Sequence, residues 1–350
     1  MATTAITTDH SDSFAICGFE DDPLAEKISA ILEKTLIPVQ QGSFNDTSSN
    51  IKIDIPDRSA FEGKNVILIA GNCRKGDQSI NDTTMDIFLT IEAAKRAGGR
   101  VKLYMPHLGY ARQDKISQAG EPLAAQKVLQ MFELAGAEKI TVLDIHNPEA
   151  FNLLKIGSLN RFAMEVFASK FKEMQDSGTK LNNLVVVAPD KGAIERAKLF
   201  RTALKAADFT EVAFAFFDKS RDTSQKGTVR TMDLREYECP DESVLTGKDA
   251  QQEFSGKTVV VVDDMADTSG TLLRAISDNM VGRYGASEAY AAITHGVFSG
   301  DALDKIGRTK ELTKIFVTDS VPLREKPPAN LEVLCCASVF AETIRAGFPK

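Results

Sequence analysis

The stretch Lys257–Leu273, KTVVVVDDMADTSGTLL, constrains this chain more than any other. Its four consecutive valines read as a buried strand, because β-branched side chains suit a pleated, covered surface. Asp263 and Asp264 then break the apolar run. A small polar segment, Ala266-Asp267-Thr268-Ser269-Gly270-Thr271, leads into an apolar stretch with helical spacing. A strand that ends on carboxylates, turns tightly and opens a helix gathers unpaired backbone N–H groups at one point. Together with the positive end of the helix dipole they make a site for a phosphate dianion. The hydroxyls of Thr268, Ser269 and Thr271 add donors, and Gly270 lets the backbone approach closely. Asp263 and Asp264 would stand one sugar-length away, where carboxylates accept bonds from vicinal ribose hydroxyls. The same string also reads as a plain strand–turn–helix link with a solvated acidic corner, and the rest of the chain has to decide.

Strand-like and helix-like runs alternate along most of the sequence. Val66–Ala70, Val101–Met105, Ile140–Leu143, Leu184–Val187, Val212–Phe217, Ala289–Thr294 and Lys314–Val317 read as strands. Between them, Ile87, Ile91 and Ala94 mark one helical face, capped by Asn81-Asp82 and ended by Gly98-Gly99. Ala125, Val128, Leu129 and Phe132 mark a second, closed by Gly136, and Ala197, Phe200 and Leu204 a third. This alternation implies right-handed βαβ units and mostly parallel sheets with helices on both faces. The two halves look like variations on one plan, with a seam near residues 155–165. Two stretches resist assignment: 44–61, and the polar 221–254, which reads as a mobile functional loop or an insertion.

At 350 residues there is length for two domains with separate cores. A net charge of −7 argues against a nucleic-acid partner. No stretch approaches the roughly 20 apolar residues that span a bilayer, so no membrane association is expected. The N-terminus lacks a secretory pattern, and residues 1–13 read as a disordered tail. Five cysteines without C-x-x-C spacing suggest neither a disulfide framework nor a zinc site, and fit a reducing, cytoplasmic setting.

Ligands of parallel α/β sheets bind at the carboxyl ends of strands, and the unusual polar residues collect there. Asp144 and His146 suit an oxygen-rich divalent-cation site or a phosphate contact, although taken alone the pair reads first as a capping Asp and a surface histidine. Asp190 is a second cation ligand or an N-cap. Lys219 and Arg221 could neutralise a phosphate chain, or be a solvated pair. Arg112, Gln113 and Asp114 could stack on and bond a purine, or form a surface turn. His295 has a core reading as well as a functional one. Walker, Rossmann and G-x-S-x-G fingerprints are absent from the sequence.

The string VVVVDDMADTSGTL resembles the phosphoribosyl-diphosphate motif shared by type I phosphoribosyltransferases and ribose-phosphate diphosphokinases (PRPP synthetases). GYARQDK, DIHNPEAF, VVVAPDKGAIERAK, DKSR, ITHGVFSG and VTDSVPL are each similar to segments of the latter family, in the same order. The resemblance runs from about residue 82 to 344. It implies an α/β fold of two phosphoribosyltransferase-like (type I) domains, each a mostly parallel sheet flanked by helices, over 14–160 and 161–350, the second carrying the PRPP-binding loop. It implies homo-oligomers built from dimers, up to hexamers. It also implies transfer of the diphosphoryl group of ATP to ribose 5-phosphate with Mg²⁺ as cofactor, giving phosphoribosyl diphosphate and AMP. On that basis Asp267, Thr268, Ser269, Gly270 and Thr271 hold the 5-phosphate, and Asp263 and Asp264 the 2- and 3-hydroxyls. Lys219 and Arg221 are catalytic cations on a loop that closes over ATP. Arg112, Gln113 and Asp114 contact ATP, as do Phe44 and Asp46 of a neighbouring subunit, and His146 and Asp190 lie near the metal.

The chain departs from the family pattern in places. Thr47 and Ser48 stand where Phe-x-Asp-Gly-Glu has Gly and Glu, and the stretch from Lys219 to Asp263 is longer. Glu62 and Cys335 stand for an arginine and a serine of the phosphate/ADP regulatory site, which implies weak or absent phosphate activation. Two other readings remain: a non-catalytic regulatory subunit of an active paralogue, and a diphosphokinase with an altered acceptor or donor.

Overall fold

A computed structural model describes residues 14–74, 76–181, 183–221 and 229–347, the side chains of 219–221 and 229–231 excepted. The tail expected over 1–13 lies outside the described residues. The chain divides into two compact units. One is drawn from Met1–Arg161 with Ala337–Lys350, and the other spans Phe162–Cys336.

The first unit runs β1 (Phe14–Phe19), α1 (Pro23–Ile31), β2 (Leu36–Ser43), β3 (Ser49–Ile53), β4 (Asn65–Ile69), α2 (Ile80–Arg96), β5 (Arg100–Met105), α3 (Ala124–Ala135), β6 (Ala137–Leu143) and β7 (Gly157–Arg161). The second runs α4 (Met164–Asp176), β8 (Leu184–Ala188), α5 (Ile194–Ala206), β9 (Val212–Arg221), β10 (Val229–Glu238), β11 (Val244–Leu245), α6 (Gly247–Phe254), β12 (Thr258–Ala266), α7 (Gly270–Arg274), a π-helical segment Ala275–Val281, β13 (Glu288–Gly296), α8 (Ala302–Arg308), β14 (Leu312–Thr318) and β15 (Leu331–Leu334). Helix α9 (Ala337–Gly347) follows the second unit in sequence and belongs to the first in space. It packs on α1, sets Phe340 edge-on to Tyr104 and donates from Arg345 to the carbonyl of Ile31.

The sheets have orders β3-β2-β1-β4-β5-β6-β7 and β11-β10-β9-β8-β12-β13-β14-β15. They are mostly parallel and flanked by helices, the architecture implied by the alternating pattern. Among the described residues antiparallel pairing is confined to β2–β3, β9–β10 and β10–β11. The valines of β12 are fully buried between β8 and β13, which explains their unbroken apolar run. One face of the second sheet packs Phe171 against Phe200, Tyr290 and Phe316, and the other forms a cluster around Val259, Val261, Ile276 and Ile293.

Several local expectations change. Helix α2 is capped by Ser79 rather than Asn81-Asp82. Ser79 Oγ accepts from the N–H of Asp82 while the Asp82 carboxylate accepts from the N–H of Ser79, a reciprocal capping box. Helix α3 ends as expected at Gly136, whose φ of 116° suits glycine. The unassigned 44–61 contains β3, the return strand of a hairpin. From residue 229 onward the unassigned 221–254 forms β10, β11 and α6, so that part is built into the second unit, its strands in the sheet. Its period was hidden by bulges, which space the buried Met232, Leu234 and Tyr237 at two and then three residues.

Candidate active site

In the second unit, β12 carries its two acids to the carboxyl end of the sheet centre. The ladder with β13 pairs Asp263 with Ile293 and Met265 with His295. Asp264 is buried and Asp263 half-buried. A buried guanidinium serves both: Arg196 Nη1 lies 3.4 Å from Asp263 Oδ1 and 3.5 Å from Asp264 Oδ1. Asp263 Oδ1 also accepts from the backbone N–H of Asp264 at 3.0 Å. Burial, followed by the Asp264 charge, pushes the Asp263 carboxyl well above the ordinary carboxylate range. Arg196 opposes the shift, and Asp190 adds to it. Arg196 therefore faces both acids of the pair, and the charge of Asp190 is felt by Asp263 as well. Arg196 escaped the sequence reading. Its signal was a cation two residues into helix α5, in the string VVVAPDKGAIERAK.

The turn after β12 is set by Ser269, which takes a left-handed backbone (φ 57°) immediately before α7. A non-glycine residue there carries local strain, the kind that accumulates at ligand sites. Ser269 is buried and its Oγ has no hydrogen-bond partner within the protein, an unspent donor in the loop. A Cβ added at Gly270 would meet nothing within 4 Å, so the backbone there faces open space. The turn is held from the side by the chain after β13. The N–H groups of Val297 and Phe298 each donate to the Ala266 carbonyl at 3.0 Å, and Ser299 N–H donates to Asp267 at 3.2 Å. The same Gly296–Phe298 segment, with Leu323 and Arg324, lines a cavity of about 320 Å³. His295 is buried, its Nδ1 2.8 Å from Ser320 Oγ, which itself donates to the Thr294 carbonyl. This is the core reading of that histidine.

Asp190 follows β8 and makes no capping hydrogen bond to the short 3₁₀ turn Lys191–Ala193, so the N-cap reading does not describe it. Lys219 and Arg221 end strand β9, and their side chains lie outside the described residues.

In the first unit, the residues expected to meet a nucleotide also gather at strand ends. Arg112 is exposed and Gln113 half-buried, on a turn in which Tyr110 is left-handed (φ 63°) and Ala125 N–H donates to the Gln113 carbonyl. Asp114 is buried and accepts from Asn147 Nδ2 at 2.8 Å, so it braces the segment. Asp144 and His146 do not share an environment: Asp144 is fully buried with φ 43°, whereas His146 is exposed. The left-handed turn removes the extended spacing that would have aimed both one way. Phe44, 56% exposed, starts the β2–β3 hairpin tip. There Asp46 Oδ1 accepts from Ser48 N–H (3.0 Å) and Ser48 Oγ (2.6 Å), and Thr47 is left-handed at φ 69°.

Among the described residues no group of three His, Cys, Asp or Glu is placed to hold a metal ion. The carboxylates fit a different arrangement. Mg²⁺ retains several waters and binds through one or two carboxylates plus substrate phosphates, and the mutual repulsion of the close-set acids at Asp263 would suit such a cation nearby. Among the described residues no helix is long and apolar enough to cross a membrane.

Known proteins share this architecture. Residues 15–136 match the profile of the N-terminal domain of ribose phosphate pyrophosphokinase, and residues 158–322 that of the phosphoribosyl transferase domain. A ribose-phosphate pyrophosphokinase 2 of Enterococcus faecalis is 31% identical over 304 residues, covering 87% of this chain and 82% of that protein. A ribose-phosphate pyrophosphokinase of Caldanaerobacter subterraneus subsp. tengcongensis is 29% identical, covering 93% and 92%. The crystal structure of phosphoribosylpyrophosphate synthetase from Mycobacterium smegmatis superposes with a TM-score of 0.75 at 25% identity, covering 96% of this chain and 99% of that one. With both domain profiles, the relatives and the fold in agreement, the chain belongs to the ribose-phosphate pyrophosphokinase (PRPP synthetase) family of enzymes.

Proposed function

We propose that the protein transfers the diphosphoryl group of Mg-ATP to the C1 hydroxyl of ribose 5-phosphate, giving 5-phosphoribosyl 1-diphosphate and AMP. The observation that carries this reading is the acid pair set immediately before the strained turn. Asp263 and Asp264 accept from the 2- and 3-hydroxyls. The 5-phosphate takes the N–H groups of Asp267–Thr271, the unspent Ser269 hydroxyl and those of Thr268 and Thr271. The C1 oxygen then attacks the β-phosphorus, the bond from that phosphorus to the α-phosphate oxygen breaks, and AMP leaves. Little covalent work falls to the protein, which orients two anions and neutralises charge.

Lys219 and Arg221 supply fixed positive charge to the transferring group. Arg112 and Gln113 bind ATP, with Asp114 bracing them, and His146 and Asp190 lie near Mg²⁺, which neutralises the phosphates of the donor. Phe44, exposed on its hairpin, offers a ring to the adenine bound by a neighbouring subunit, so this reading includes a homo-oligomer. The free cysteines suit a cytoplasmic setting.

The test is direct. Pure protein with Mg-ATP and ribose 5-phosphate should release AMP and phosphoribosyl diphosphate in equal amounts, and the Lys219→Ala protein should not. Equal AMP from both would remove Lys219 from the site, and none from either would leave the regulatory-subunit reading. A second reading, an altered nucleotide donor, is favoured by one observation: Ser48 engages the Asp46 carboxylate that would otherwise read a base. Comparing ATP with GTP as donor decides it.

A further inference from the structure

Strand β9 leaves the sheet before it reaches its catalytic cations. Its ladder with β8 ends at Ala188–Phe216, so from Phe217 to Arg221 the described ladder partner is β10 alone. In that ladder Met232 sits opposite Lys219, and Leu234 opposite Phe217. Among the described residues the far edge of β10 has no strand partner at this height either, because β11 meets Tyr237 and Glu238. An open strand edge leaves backbone groups in need of partners.

Here those partners are side chains from the end of the π-helical segment. Met232 N–H donates to Asn279 Oδ1 at 3.2 Å. Leu234 N–H donates to the Tyr284 hydroxyl at 3.1 Å, and that hydroxyl donates to the Met232 carbonyl at 3.3 Å. Arg283 Nη1 reaches the same carbonyl at 3.2 Å and Asp233 Oδ1 at 2.9 Å. The Tyr284 ring closes a buried trio with Phe217 and Phe254, at centroid distances of 5.3 and 5.9 Å. The π geometry is what brings these residues round: the additional residue in a turn rotates the succeeding residues by about 100° relative to an α-helix. Asn279 Nδ2, donating to the Arg274 carbonyl five residues back, fastens that widened turn. The same helix begins at Gly270, directly after the Ser269 turn.

We propose that Tyr284 and Asn279 are positioning residues that clamp the Lys219-bearing end of the β9–β10 pair to the helix rising from the phosphate turn. One rigid element then fixes the ribose-phosphate cradle and the backbone that carries the catalytic cations. The inference rests on the function proposed above for Lys219. Neither residue touches substrate, so the clamp acts on the chemical step through the placement of Lys219 and leaves the cradle intact.

Tyr284→Phe keeps the ring trio and removes both hydroxyl bonds. The expected result is a kcat about tenfold lower, since misplacement of a charged group at the reacting centre costs on this order, with KM for ribose 5-phosphate and ATP within about twofold. Asn279→Leu should act in the same direction. Asn279→Asp, which retains an acceptor for Met232 N–H, should recover most of the loss. Amide exchange over residues 229–238 should quicken in Tyr284→Phe while the peptide over 263–273 stays protected, a readout that needs no activity. If Lys219→Ala is inactive while Tyr284→Phe and Asn279→Leu keep wild-type kcat and exchange, the clamp is wrong and the function stands. If Lys219→Ala retains full activity, the function assigned to Lys219 fails first. A joint loss of kcat, ribose 5-phosphate binding and helical signal in both variants would reduce the residues to a general structural role and overturn the proposal.

Discussion

The two sheets share one strand order and differ in what they place on it. Setting β11 aside, β3-β2-β1-β4-β5-β6-β7 corresponds position by position to β10-β9-β8-β12-β13-β14-β15. Each sheet carries an antiparallel hairpin on the same edge, the Phe44–Ser48 tip in the first unit and the Lys219-bearing pair in the second. At the central position the second unit ends β12 on a segment with Asp263-Asp264 and needs three residues to reach α7. The first ends β4 at Ile69 and takes ten residues, without an acid pair, to reach α2. A shared fold thus carries an acid pair and a tight strand–helix turn in one copy and neither in the other, so fold alone does not fix function.

The strongest test of this contrast sets hairpin against hairpin. Lys219→Ala should lower kcat by about 10²–10³-fold, the usual cost of removing one preorganised charge from the transition state, with modest change in KM. Phe44→Ala should leave kcat near normal and raise the KM for ATP by about tenfold, the typical value of one aromatic–base stack. Steady-state kinetics on both proteins checks the division. If Phe44→Ala matched Lys219→Ala in kcat, the first hairpin would be doing chemistry and the contrast would collapse.

Asp263→Asn probes the cradle. It keeps an oxygen for the Asp264 N–H and for Arg196 while removing charge, so ribose 5-phosphate should lose an ionic hydrogen bond and its KM should rise by about 10- to 100-fold, with the KM for ATP little changed. Stability should move the other way. The folded carboxyl is shifted upward, so its favourable proton is held fully below the unfolded pKa and lost as pH rises through the folded value. At pH 8 the ligand-free variant should therefore melt a few degrees above wild type, about 2–4 °C, and the gap should shrink on acidification. Calorimetric melts at pH 5 and pH 8 give the sign. A variant less stable at pH 8 would mean that Arg196 already balances the pair.

Much of this was legible in the chain. Strands with both faces covered announce themselves as apolar runs, so β4, β8, β12 and β13 could be read directly. The acid pair and turn were equally plain, because few folds need that string. What escaped was of two kinds. Strands β3 and β10 pair antiparallel at an edge, where one face meets solvent and bulges break the period. Arg196 and the Tyr284–Asn279 clamp act through tertiary contacts from helices whose sequence shows nothing unusual. At Asp144 and His146 a left-handed backbone that no pattern marks leaves one side chain buried and the other exposed.

A finer test returns to the first hairpin. Asp46 is drawn below the ordinary carboxylate range by the two bonds from Ser48, so it is ionised and occupied. Ser48→Ala should remove the hydroxyl bond while the N–H of residue 48 stays on Asp46, and the partly freed carboxylate should lower the KM for ATP by about threefold, the value of one modest hydrogen bond regained. The same variant should leave ribose 5-phosphate kinetics untouched. A change in the ribose side with none in the nucleotide side would show that this hairpin does not belong to the donor.

The smallest expected effect concerns whether the first unit binds anions at all. The second unit has the turn proposed above to hold an anion, whereas the first presents an exposed Glu62 at the position where the resemblance implies an arginine of the regulatory site. Glu62 is held beside Gly98, where an added Cβ would lie 2.8 Å from its Cα, so its backbone has little room to withdraw. A carboxylate fixed there repels inorganic phosphate, and an exposed site gives it no compensating desolvated partner. Raising phosphate from 1 to 50 mM at constant ionic strength should therefore change the rate by less than about twofold, and Glu62→Arg should increase that response if the position alone withholds it. A steep phosphate dependence in the wild type would place an anion site elsewhere in the first unit and make the two sheets more alike than their side chains suggest.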